Sequence, residues 1–102
     1  MPYAEEAVRM LNMSLRMARS SGHKAVKFIH GYGSHGVGGD LRFAIQATLR
    51  QMLTNGDIRE CIYGENWRTS DERSWELLKR TPELKNDSDL GKGNKGMTIV
   101  IL

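Results

Sequence analysis

The feature that most constrains this chain is a glycine-rich stretch at residues 30–39, which lies between a short apolar run and a helical pattern. Five of its ten residues are glycine, far above the roughly 7% of an average protein. Glycine permits a positive φ and a close approach of the backbone to another molecule, because it has no Cβ. A strand that ends in such a loop and leads into a helix leaves several peptide N–H groups unpaired. The stretch therefore predicts a site for an anion.

Apolar residues recur at helical spacing on both sides of this stretch. The first pattern predicts a helix over residues 3–21, which Gly22 ends. The second predicts a helix that begins at Asp40 and ends at Asn55-Gly56, a pair typical of the left-handed helix stop. The apolar positions are Ala4, Ala7, Val8, Leu11, Leu15 and Ala18 in the first pattern and Leu41, Ile45, Leu49 and Met52 in the second.

Three short runs predict strands at residues 25–29, 58–63 and 97–102, since they are apolar or alternating and rich in β-branched side chains. The first two runs flank the second helix. A strand–helix–strand unit closes into a right-handed crossover between parallel strands in nearly every known case. We therefore expect the glycine-rich stretch at the carboxyl end of a parallel strand, where open α/β sheets bind ligands.

After the second strand the pattern is weaker. The residues Thr69–Glu72 match a capping box and predict a short helix to about Arg80. Trp75 and Leu78 would form its inward face. The charged residues and glycines of 83–95 favour a solvated loop.

Length and composition indicate one domain over residues 1–102. With 39% hydrophobic and 26% charged residues the chain is typical of a soluble globular protein. No membrane span or secretion signal is evident, so we expect a cytoplasmic location. The single cysteine, Cys61, indicates a buried thiol rather than a disulfide. The first helix has no strand before it, so either the sheet has three strands or its first strand lies upstream of Met1.

Two known phosphate-binding motifs fit the glycines incompletely. Gly31-x-Gly33-x-x-Gly36 matches the dinucleotide fingerprint, but the helix begins only after Gly39 and one crossover unit is too little for that fold. A dinucleotide binder is therefore the less favoured alternative. The ATPase phosphate loop is excluded, because Gly39-Asp40 stands where that motif needs Lys followed by Ser or Thr.

A phosphodiester site is the interpretation that the neighbouring residues favour. His30 stands at the end of the predicted strand, where an imidazole could transfer a proton or contact a phosphate; alternatively, it only bonds a neighbouring carbonyl and fixes the turn. Arg42 falls in the first turn of the second helix, where a cation is disfavoured unless an anion is present. Lys24 and Lys27 add charge beside the first strand, and the net charge of +3 weakly favours a polyanionic partner.

The chain resembles the small MutS-related (Smr) domain family in three places: His30-Gly31-Tyr32-Gly33, Asp40-Leu41-Arg42 and the closing 96–102 segment. The resemblance implies an α/β two-layer sandwich, similar to the C-terminal domain of translation initiation factor three. The family's sandwich has a four-stranded mixed sheet backed by two helices. For this chain we expect a mixed three- or four-stranded sheet backed by two main helices, with an extra short helix in a C-terminal insertion. Domains of this family bind DNA or RNA, and several nick or cleave it in DNA repair or recombination.

By that likeness His30 is the catalytic candidate, within the family's His-Gly-x-Gly motif. The family's Leu-Asp-x-His before the first helix has no counterpart here, so a non-catalytic binding or adaptor module is the alternative. No metal ligands are evident, although Mg²⁺ or Mn²⁺ could supply charge for cleavage. Besides DNA or RNA, we expect a larger repair protein or a second copy as partner, and no membrane. The phosphate or nucleic-acid contacts expected are Gly31, Tyr32, Gly33, Ser34, Gly36, Gly38, Gly39, Arg42, Lys27 and Lys24.

Overall fold

The computed structural model describes residues 2–31 and 40–102. The first two helices and the first strand lie within one or two residues of the bounds that their local patterns predict. Within this part of the chain the helices are α1 (Pro2–Ser20), α2 (Asp40–Asn55) and α3 (Glu72–Arg80), and the strands are β1 (Ala25–Ile29), β2 (Glu60–Tyr63) and β3 (Met97–Ile101). Two 3₁₀ turns follow β2 and α3, at Gly64–Asn66 and Pro82–Asn86.

The three described strands form one sheet in the order β1-β3-β2, with β3 antiparallel to both neighbours. The strands β1 and β2 therefore run in the same direction, but they are not paired with each other. The expected crossover between strands of the same direction is thus present, but β3 lies between them, so the hydrogen-bonded pairs described are antiparallel and the sheet is not mixed. The reason lies in β3: its residues Met97–Val100 are all buried, and a strand buried on both faces is most stable at the centre of a sheet.

Side chains on the two faces of the sheet enter two separate cores. Phe28, Cys61 and Val100 pack against α1 and α2. Ile62, Met97 and Ile99 pack against α3 and the fully buried Trp67. The α/β sandwich of a sheet backed by two main helices is confirmed, with the extra short helix on the other face. Among the residues that the structure describes, none of the helices combines the length and the apolar character that a membrane span needs.

The start of α3 differs from the prediction. Asp71 rather than Thr69 caps the helix, and its carboxylate accepts a hydrogen bond from the Ser74 N–H at 3.0 Å. The inward face contains Ser74 and Leu77 beside the expected Leu78, whereas the Trp75 side chain is 43% exposed. The hydroxyl of Ser74 donates to the Asn66 carbonyl at 2.7 Å. This bond fixes the small Ser74 against the preceding turn and thereby turns Trp75 outward.

The segment 83–95 is not a simple solvated loop. The Asp87 carboxylate accepts hydrogen bonds from the Trp67 indole N–H and the Lys27 ammonium, both at 3.0 Å. Lys27 also contacts the Asp89 carboxylate at 2.5 Å. Burial lowers the pKa of Lys27, but the hydrogen bonds to Asp89 and Asp87 raise it more, so the net shift is upward. The two aspartates therefore anchor this segment to β1, a long-range contact that its composition does not reveal.

Candidate functional site

His30 follows directly after β1, and both nitrogens of its ring have hydrogen-bond partners. Nδ1 lies 2.8 Å from the Gly31 carbonyl oxygen, and Nε2 lies 3.2 Å from the Thr98 hydroxyl. A carbonyl only accepts, so Nδ1 carries the proton and donates it to that oxygen. In the neutral ring Nε2 then accepts from the Thr98 hydroxyl. Thr98 lies opposite Phe28 in the sheet register. Since His30 follows Phe28 by two residues, the side chains of His30 and Thr98 lie on the same face of the sheet.

The surroundings of His30 favour its neutral form. Burial lowers the pKa of the ring and is the largest influence, while the hydrogen bond to the Gly31 carbonyl raises it. The charge of Arg42 lowers the pKa and that of Glu65 raises it, so both charged groups lie near the ring. The net shift is downward, and we therefore expect an uncharged imidazole at pH 7.

The backbone beside His30 is closely packed. The N–H groups of His30 and Gly31 both donate to the Gly96 carbonyl oxygen at 2.9 Å. Gly31 has a φ of 77°, and a Cβ on Gly96 would lie only 3.1 Å from the Gly31 Cα. The Gly31 N–H is therefore already used within the protein, which does not fit its expected part in an amide cradle for phosphate.

Arg42 is held by an acidic residue that the sequence analysis did not single out. Its Nη2 lies 2.5 Å from Oε2 of Glu65, in the 3₁₀ turn after β2, and the two side chains are 22% and 28% exposed. The pair is incomplete: Arg42 Nε and Glu65 Oε1 are buried and have no hydrogen-bond partner among the described residues. The position of Arg42 in the first turn of α2 predicts a nearby anion, and the Glu65 carboxylate is such an anion. The Nε donor of Arg42 is left without a partner among the described residues.

The expected lysines do not join this site. Lys27 lies on the opposite face of the sheet from His30, because strand residues alternate between faces, and it pairs with Asp87 and Asp89. Lys24 is exposed just before β1, six residues from His30 and thus about 20 Å along an extended chain. The structure therefore brings together His30 and Arg42 but neither lysine.

The remaining predicted phosphate contacts lie outside the described residues; they are Tyr32, Gly33, Ser34, Gly36, Gly38 and Gly39.

The described residues show no metal site. Within 2–31 and 40–102, no group of three or more His, Cys, Asp or Glu side chains is arranged to hold a metal ion.

His30, Arg42 and Glu65 of this site fall within a segment that matches a known protein family. A model of the Smr domain matches residues 3–65, which is more than half of the 102-residue chain. The chain belongs to the Smr domain family. The resemblance identified from the sequence is thus confirmed, and proteins of this family generally bind nucleic acid. No curated protein and no solved structure matches the chain.

The matched part of the Smr domain contains His30 and Arg42 and ends at Glu65. Two groups that hold His30 come from outside it: the Thr98 hydroxyl and the Gly96 carbonyl oxygen. They lie at the start of β3, the strand between β1 and β2. The central strand and the residue before it therefore complete the surroundings of His30.

Proposed function

We propose that this Smr domain binds DNA or RNA by holding a backbone phosphate at Arg42, near the end of the sheet where His30 lies. The observation that carries the proposal is the Arg42 guanidinium, which lies in the first turn of α2 and, after pairing with Glu65, keeps a buried Nε donor without a partner among the described residues. A helix N-terminus attracts anions. A guanidinium beside it offers several planar donors suited to a phosphate.

The Arg42–Glu65 pair is compatible with this role because it is incomplete. Glu65 contacts one nitrogen of the guanidinium, and the Nε donor has no partner among the described residues. A phosphate oxygen would provide that partner. Since the Nε atom is buried, the pair must shift when phosphate binds, and Glu65 competes with the ligand for Arg42.

Removal of Arg42 tests the proposal. Arg42→Gln is expected to weaken binding of a labelled single-stranded oligonucleotide about five- to tenfold at low salt and to reduce the salt slope of log affinity by about 1. Fluorescence anisotropy between roughly 50 and 200 mM salt measures both quantities.

Arg73→Gln is the matched control. Arg73 also pairs with a glutamate, Glu60, at 3.6 Å, but it belongs to α3. This variant loses the same charge and is expected to bind as the wild type does. Equal losses in both variants would indicate general charge attraction and would contradict a phosphate site at Arg42.

The geometry supports binding better than cleavage. Both nitrogens of His30 are engaged, and the ring is expected to be neutral with Nε2 accepting from Thr98. A nicking or RNA-cleaving activity in repair requires the ring to exchange Thr98 for substrate. A plasmid-nicking assay with and without Mg²⁺ or Mn²⁺, comparing the wild type with His30→Ala, addresses this activity. Nicking that depends on His30 would establish an endonuclease, whereas equal traces in both proteins would indicate a contaminant.

A further inference from the structure

Phe43 is an exposed aromatic residue beside the proposed phosphate contact. Its side chain is 58% exposed, and the Arg42 guanidinium carbon lies 5.7 Å from the centroid of its ring. Burial of a phenylalanine side chain is worth about 1.5–3 kcal/mol. The ring instead remains in water, in contact with the cation to which the proposed function assigns a phosphate.

Packing of the core does not explain this ring. The inward stripe of α2 runs through Ile45 and Leu49, which are fully buried, with Leu41 packed against them. Phe43 lies two residues after Leu41, about 200° further around the helix. The ring therefore points away from the core that the neighbouring side chains build.

The Arg42 guanidinium lies over one face of the Phe43 ring, and the two groups suit the two parts of a nucleotide. The guanidinium suits the phosphate, and the opposite face of the exposed ring offers a flat surface on which a base can stack. We expect one nucleotide to contact both side chains, with its phosphate at Arg42 and its base on Phe43. Stacking on a protein ring requires a base that is not already stacked within a duplex.

We propose that Phe43 is a stacking platform for an unpaired base and that the site therefore takes single-stranded nucleic acid. This inference rests on the proposed function, because it places the phosphate at Arg42. It adds the class of nucleic acid and a residue that contacts it. Base stacking on an aromatic side chain tolerates any sequence, since every base has a π face.

The test compares a labelled single-stranded oligonucleotide with a duplex of the same sequence. Phe43→Ala and Phe43→Leu are expected to weaken single-strand binding about tenfold, and Phe43→Trp is expected to retain it. The salt slope should stay at the wild-type value in all three, because no charge changes. Duplex binding should be the same in Phe43→Ala as in the wild type.

Trp75→Ala is the matched control for loss of an exposed ring. Trp75 is 43% exposed and has the Lys85 ammonium 5.9 Å from its ring, but it lies on α3. This variant is expected to bind both ligands normally.

A thermal unfolding curve for Phe43→Ala should match the wild-type curve, since the ring is not part of the core.

Four results would overturn the inference. Unchanged single-strand binding by Phe43→Ala, with weakened binding by Arg42→Gln, would leave the proposed function standing and remove the stacking role. Wild-type affinity in Phe43→Leu, or an equal loss for single strand and duplex, would show an apolar contact without stacking. Absence of binding to either ligand by the wild type would overturn both the inference and the proposed function.

Discussion

Gly64→Ala is expected to lower the free energy of unfolding by about 3 kcal/mol or more. Gly64 is buried and is the first residue of the 3₁₀ turn that holds Glu65. A Cβ at this position would overlap the Asn94 carbonyl oxygen and lie 2.8 Å from the Met97 carbonyl oxygen. Both obstacles are backbone atoms, so no side-chain rotation can relieve the overlap, and the start of β3 must shift.

Urea unfolding followed by circular dichroism measures this effect, with Gly56→Ala as control. Gly56 has a φ of 77°, but a Cβ there would meet no atom within 4 Å. The control variant therefore places an alanine in a left-handed backbone conformation without any steric overlap, and this conformation costs about 1–2 kcal/mol. A Gly64→Ala variant no less stable than the Gly56→Ala variant would contradict the close contact between the 3₁₀ turn and the backbone at Asn94 and Met97.

Asp87→Ala is expected to lower the free energy of unfolding by about 2–4 kcal/mol. The substitution leaves the N–H of the fully buried Trp67 without its acceptor and leaves Lys27 with one carboxylate instead of two. It also removes the acceptor of the Asp89 N–H, at 3.1 Å. A buried donor without a partner costs its full desolvation, so the loss exceeds that of a surface ion pair.

The control for this substitution is Glu76→Ala. Glu76 pairs with Lys79 one helical turn away, and both side chains are about half exposed. Exposed pairs contribute little to stability, so this variant should unfold close to the wild type in the same urea titration. Similar midpoints for Asp87→Ala and Glu76→Ala would show that segment 83–95 is not held by Asp87.

Local patterns predict the elements of this fold better than their arrangement. The helices α1 and α2 follow from periodicity within each segment, and β1 follows from a short apolar run between turn residues. The position of β3 does not follow in this way, because it depends on pairing between residues far apart, such as Phe28 with Thr98. The cap of α3 also depends on packing: Thr69 and Asp71 both suit the position, and contacts of Ser74 with Asn66 and Asp71 favour Asp71.

The same limit applies to the site. His30 and Arg42 carry recognisable local patterns, a glycine-flanked histidine and a cation in the first turn of a helix. Their partners do not: Glu65 is 23 residues from Arg42, and Thr98 is 68 residues from His30. The unusual position of Arg42 indicated an anion nearby, but only the fold distinguishes an internal carboxylate from a bound phosphate.

The titration of the His30 ring by NMR, with and without a single-stranded oligonucleotide, tests the phosphate site most directly. In the free protein we expect a pKa below the ordinary histidine value of about 6.5, because burial disfavours the charged ring. A phosphate at Arg42 adds negative charge nearby and should raise that pKa. The complex then binds more protons than the free protein, so affinity should increase as the pH falls through the interval between the two pKa values. A His30 pKa that saturating oligonucleotide leaves unchanged would contradict a phosphate site at His30 and Arg42.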